Sequence, residues 1–214
     1  MPQTLDEIAT QSIPIARRPG RAYSAASSIS FASRFASTMT MAPRRRCKSP
    51  AVSSFLSSRV IASRWLLIRA ASVLKIPTIV STQYAKGLGN TVPEIASLLP
   101  ETEAIDKDRF SCFGSEVFCT LLKRLPGNRN TLLLCGMESH ICVAQTALAA
   151  LREGYLVHVA SDAVGSRTEW NWKIGLERMR AAGAVISSTE MMIYELMRSS
   201  SSPAFKEMLP HLKG

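Results

Sequence analysis

The most constraining stretch of the chain is TLLLCGMESHICVAQTALAALREG, running from Thr131 to Gly154. Thr131 to Cys135 is a short, mostly apolar run of the length a buried strand needs. Gly136 interrupts it, and Ser139 is placed to accept from the first free amides of a following helix. Ala144, Leu148 and Leu151 then recur on one helical face, which stops at Gly154, a natural residue for the left-handed position after a helix. A strand feeding straight into a helix is the repeating unit of a parallel sheet with helices on its faces. Cys142 is thereby placed in the first helical turn beyond the carboxyl end of a buried strand, where ligands bind in open α/β sheets. Free amides and the helix dipole favour a thiolate there, so the expected pKa lies below the usual ~8.5. The competing reading is that Cys142 is a small buried apolar residue, the commoner role of a single cysteine.

The run Gly136-Met137-Glu138-Ser139-His140-Ile141-Cys142-Val143 resembles the nucleophile loop of the isochorismatase-like cysteine hydrolases, in particular their isochorismatase-domain-containing branch. Further segments agree in order and spacing: Ile76 to Gly89 (IPTIVSTQYAKGLG), Asp106 to Ser111 (DKDRFS), Val157 to Ala163, and Arg178 to Ala184. The resemblance runs from about Val60 onward. It implies a Rossmann-like three-layer α/β/α sandwich with a mostly parallel sheet. It further implies Cys142 as nucleophile and Lys107, in a K-x-x-F-S motif, as the charge that organises thiolate and substrate. Gln83, Tyr84 and Ser111 would line the pocket, with Ser111 also able to serve only by orienting its loop. The Glu138–Ser139 peptide would be cis, and the main-chain amides of Glu138 and Cys142 would form an oxyanion hole. A small-molecule substrate, a homo-oligomer and no cofactor are implied. The histidine-and-aspartate metal site of the nicotinamidase relatives has no counterpart here, so no metal is expected.

The net charge of +10 suggests a nucleic-acid binder until it is mapped. Between Ile8 and Pro93 there is no Asp or Glu but thirteen Lys or Arg, whereas from Glu94 onward thirteen basic residues face fourteen acidic ones. The charge belongs to the front of the chain. Residues 1 to about 46 are Arg- and Ser-rich, the composition of an organelle transit peptide, and Arg21-Ala22-Tyr23-Ser24 resembles a mitochondrial processing site. That predicts the mitochondrial matrix; without import, the cytoplasm. A disordered tail, or a start misplaced upstream of Met39 or Met41, fits the same residues. The basic run Arg44-Arg45-Arg46-Cys47-Lys48 lacks aromatic platforms, so no nucleic-acid partner is expected. Apolar runs are too short for a membrane span. Five cysteines without a CxxC pair, and three histidines, fit neither a zinc site nor a disulfide framework.

Composition predicts an arm over residues 1–48, and the resemblance implies a hydrolase domain, incomplete at its front, over 49–214. Ser49 to Val52 hints at a strand that is not sustained. A helix is expected over Val60 to Leu74, with Ile61, Trp65 and Ile68 inward and Arg64 and Arg69 toward solvent. Thr78 to Thr82 is β-branched as a buried strand should be, and Tyr84 to Pro93 reads as a loop at its end. Further helices are expected over Ser115 to Leu125, Trp170 to Ala182, Glu190 to Met197 and from Pro203. Strands are expected over Leu156 to Ala160 and Ala184 to Ser188. Asp162 reads as the cap of a turn or helix.

One departure from the resembled family is serious. Its members use an Asp at the end of the central first strand to take the thiol proton, and this chain offers no carboxylate between Ile8 and Pro93. The first strand is therefore expected to be degraded or absent. Two functions follow from different classes. One is a cysteine hydrolase of small amides or esters, slowed by loss of its base, a change that typically costs ~10²–10⁴-fold. The other is a non-catalytic member of the fold.

Overall fold

All seven residues of strand β5 (Thr131–Met137) are buried, which requires partners on both edges and cover on both faces. The computed structural model describes residues 33–36, 58–126 and 129–213, and supplies both. On one edge β5 pairs in parallel with β6 (Leu156–Gly165), which pairs in parallel with β7 (Val185–Ser187). On the other it pairs with β1 (Ser33–Ala36), followed by β2 (Thr78–Ile79). The order is β2-β1-β5-β6-β7, all parallel. Strands β3 (Ser81–Gln83) and β4 (Ile105–Lys107) form a second parallel pair just beyond β2.

The central first strand is thus filled rather than absent, and by residues expected to belong to an arm. Arg34 lies opposite Leu132 and Ala36 opposite Leu134. The strand is short, and it ends at Ala36 with Ser37 and Thr38 next in sequence, so no carboxylate follows it. A four-residue Ser-Arg-Phe-Ala run has too few apolar positions to announce itself. Ser49 to Val52, where a strand was hinted at, lies outside the described residues.

Alternation along β5 sorts the core into two layers. Leu132 and Leu134, with Val157 and Val159, pack on α4 (Glu116–Arg124), α5 (Ala144–Arg152) and α6 (Glu169–Ala181) through Phe118, Leu122, Ala147, Leu176 and Met179. Leu133 and Cys135 face the opposite layer: α1 (Ser58–Val73), α7 (Thr189–Met197) and α8 (Pro203–Leu212), through Leu67, Ala71, Ile193 and Met208. Helices therefore cover both faces of a parallel sheet, as expected. Residues 84–93, expected as a loop, carry a turn of helix, α2 (Ala85–Leu88), and α3 (Pro93–Ala96) opens at Pro93. Asp162 does cap: its Oδ1 accepts from the amide of Thr189 at 2.8 Å, at the start of α7.

Arg64 corrects the reading of α1. It is buried, not solvent-facing, and donates from Nε to the Ala163 carbonyl (2.8 Å) and from Nη2 to the Gly136 carbonyl (3.0 Å). Pairing of β5 with β6 jumps from Leu134–Val159 to Gly136–Val164, so four residues of β6 bulge out of the ladder. The guanidinium supplies donors to carbonyls at this irregularity. Burial lowers its pKa to about 10.

Candidate active site

Three elements converge beyond the carboxyl ends of the strands. β5 ends in Met137 and turns through Glu138 into a wide π-type turn (Ser139–Val143) that continues as α5. Cys142 sits in that turn, 6% exposed. β3 ends in Gln83 and β4 ends in Lys107, both buried. Gln83 Oε1 joins the three: it accepts from Lys107 Nζ at 2.6 Å and from Cys142 Sγ at 3.8 Å. Gln83 Nε2 donates to the Asp108 carbonyl at 2.7 Å, which fixes the orientation of the amide.

Lys107 directs its two other protons to the carbonyls of Arg109 (2.8 Å) and Phe110 (3.0 Å). Three acceptors for three protons is the geometry of an ammonium, not of a free amine that could act as a base. Burial lowers its pKa, while negative charge on Cys112 or Cys142, when either is ionised, and the carboxylates of Asp106 and Asp108 oppose that shift. For Cys142 burial is also the largest influence, and it raises the pKa. Lys107 and the Glu138 amide act the other way without overcoming it. The expected depression of the thiol pKa is therefore corrected: withdrawing the sulfur from water outweighs the nearby positive charge and amides.

Two details of the loop also differ from expectation. The cis peptide is Met137–Glu138, not Glu138–Ser139. The chain turns at the last residue of β5, and Glu138 is already the extended residue preceding the helical turn, its carbonyl accepting from the amides of Ile141 and Val143 at 3.1 Å each. Nor does Ser139 cap the helix. Its hydroxyl is paired with Ser166 Oγ at the end of β6.

The remaining expected residues lie further out. Tyr84 is 57% exposed and its ring lies over Gly87, where a Cβ would sit 2.3 Å from a ring carbon. Ser111 spends its hydroxyl on the Phe113 amide (3.2 Å), the loop-orienting role. It lines an open cavity of about 490 Å³ with Asp108, Arg109, Phe110, Gly114 and Gln145.

A second polar cluster flanks the loop. Buried Glu138 accepts from Arg167 Nε at 3.0 Å, and His140 Nδ1 lies 2.9 Å from Ser166 Oγ and 3.4 Å from Glu138 Oε2. Burial lowers the His140 pKa. Serine, histidine and carboxylate suggest a triad, but hydroxyl and carboxylate share one ring nitrogen, whereas a relay needs both nitrogens. This cluster fastens the loop. Among the described residues no group of three or more His, Cys, Asp or Glu is arranged to hold a metal.

Sequence reasoning missed Gly175, on the face of α6 that packs against the loop. A Cβ there would meet the His140 amide nitrogen at 2.9 Å and the Ser139 carbonyl carbon at 3.0 Å. Backbone cannot yield as a side chain can. Gly175→Ala is expected to cost about 1–3 kcal/mol and, by displacing the loop that covers the sulfur, to speed alkylation of Cys142, measured by thermal melting and by iodoacetamide labelling.

Comparison with known proteins agrees with this architecture. Residues 44–191 match the isochorismatase domain. The secreted isochorismatase effector Isc1 of Phytophthora sojae is 43% identical over 150 residues, 69% of this chain and 71% of that protein. Isochorismatase domain-containing protein 2 of Danio rerio is 35% identical over 156 residues, 72% of this chain and 76% of that protein. Among solved structures, the MAR1 ribonuclease of Caenorhabditis elegans superposes with a TM-score of 0.75 at 32% identity, covering 88% of this chain and 93% of its own. The octameric Escherichia coli YcaC hydrolase of unknown specificity shares the fold, with a TM-score of 0.72 at 22% identity over 84% of this chain and 87% of its own. By domain match, sequence identity and fold, the chain belongs to the isochorismatase family.

Proposed function

We propose that the chain is a cysteine hydrolase of small amides or esters in which Cys142 is the nucleophile and Lys107 its charge partner. The observation that carries this reading is the convergence of Cys142, Gln83 and Lys107 on one amide oxygen. Sulfur adds to the substrate carbonyl, the C–N or C–O bond breaks, and the leaving group departs with the thiol proton. Water then cleaves the thioester to release the acid. The main-chain amides of Glu138 and Cys142 would serve as the oxyanion hole. The test is product release by the purified chain from a panel of small amides and esters, with Cys142→Ala as the control.

One observation favours a second reading, a non-catalytic member of the fold: β1 ends without a carboxylate, and Lys107 has no lone pair to offer in its place. Absence of turnover across the panel, with Cys142 still open to alkylation, would decide for it. Assembly as a homo-oligomer is proposed from the octameric state of YcaC and from half-exposed Val185 in edge strand β7 and Met191 in α7. A monomeric mass in sedimentation would refute it.

A further inference from the structure

We propose that Gln83 is the positioning residue that keeps the nucleophile a thiol, one amide oxygen taking the proton of Cys142 and a proton of Lys107 at once. The inference rests on the hydrolase reading only for the identity of the nucleophile. Its basis is geometric. The Nε2 bond to the Asp108 carbonyl forbids the flipped amide, which would also set an NH₂ group against the ammonium. Oε1 therefore faces inward. The other two protons of Lys107 are fixed on the Arg109 and Phe110 carbonyls. The one proton that could turn toward sulfur is held by Gln83 at 2.6 Å. A thiol donating to a neutral oxygen is stabilised in its neutral form. The same oxygen thus intercepts the charge that would favour the thiolate.

Other charged or titratable groups bear on the sulfur from each packed element. Lys107 with Asp106 and Asp108 comes from β4 and the loop after it, Cys112 from the turn beyond, and Glu138, with Arg167 and His140 around it, from the nucleophile loop. Of these only Lys107 favours the anion by its charge. Displacing Oε1, as a substrate that hydrogen-bonds Gln83 would, releases a Lys107 proton toward Sγ. The thiol proton passes to the leaving atom of the substrate while the Lys107 ammonium turns its hydrogen bond to the sulfur, so substrate arrival and thiolate formation become one event.

The experiment is the pH profile of Cys142 alkylation by iodoacetamide, read by peptide mass, in the full chain and two variants. Gln83→Met keeps the length and removes the acceptor. Its alkylation midpoint is expected to fall by about one pH unit, a roughly tenfold faster reaction below the midpoint. Gln83→Glu keeps the Lys107 contact and adds a negative charge at the same atom, and its midpoint is expected to rise by about as much. A Gln83→Met midpoint that stays or rises, in protein with unchanged circular dichroism, overturns the proposal. Should that variant not fold, an unmoved midpoint in Gln83→Glu overturns it. The hydrolase reading fails by a separate route, through turnover that survives Cys142→Ala or is never found, so the two failures cannot be confused.

Discussion

Alanine at position 142 is expected to lower turnover by ~10⁴-fold or more, because removing a nucleophile leaves only binding and oxyanion stabilisation. Stability should change little. The hydrogen bond from the sulfur to Gln83 is long, at 3.8 Å, and alanine retains the helical turn. Loss of activity with an unchanged melt assigns the thiol to chemistry. Activity within tenfold of the parent would remove Cys142 from the mechanism. Cys142→Ser is expected to behave like alanine, since a serine hydroxyl needs a general base and no described side chain at the sulfur supplies one.

The second large effect falls on stability. Arg64→Ala is expected to destabilise the fold by about 3–5 kcal/mol, combining a cavity under α1 with the loss of donors to two buried carbonyls. For a domain of this size that lowers the melting temperature by on the order of 10 °C. Arg64→Met tests the balance. It fills most of the volume and removes the cost of burying a cation, a change that in other proteins is sometimes stabilising. The carbonyls of Gly136 and Ala163 still lose their donor, so Met should remain less stable than Arg by about 1–3 kcal/mol. A Met variant more stable than the parent would show that desolvation of the guanidinium outweighs its two hydrogen bonds.

What could be read from the residues followed from local pattern. The strand, turn and helix of the Cys142 segment are written in consecutive residues, and Gln83 and Lys107 each close a short β run with a recognisable neighbourhood. Their meeting on one oxygen depends on β3 and β4 pairing side by side, which no single segment encodes. Arg64 was misread because helical periodicity treats arginine as a surface residue. The register jump that draws it inward lies in β6, nearly a hundred residues away. β1 was missed because four residues carry no periodicity, and its place is fixed by neighbours on both sides. The thiol pKa was misjudged in sign. Position on a helix is legible from sequence, whereas the depth of burial that outweighs it is a property of the assembled site.

The complete burial of β5 also gives the molecule two thiols that mark different openings. Cys135 lies within the strand, on the face packed against α1, α7 and α8. Cys142 hangs from the end of the same strand in an irregular turn. A small fluctuation of the loop bares the second, whereas only an excursion that separates sheet from helices bares the first. The gap between their labelling rates in one sample is thus a direct reading of how far the free energy of loop opening lies below that of the core.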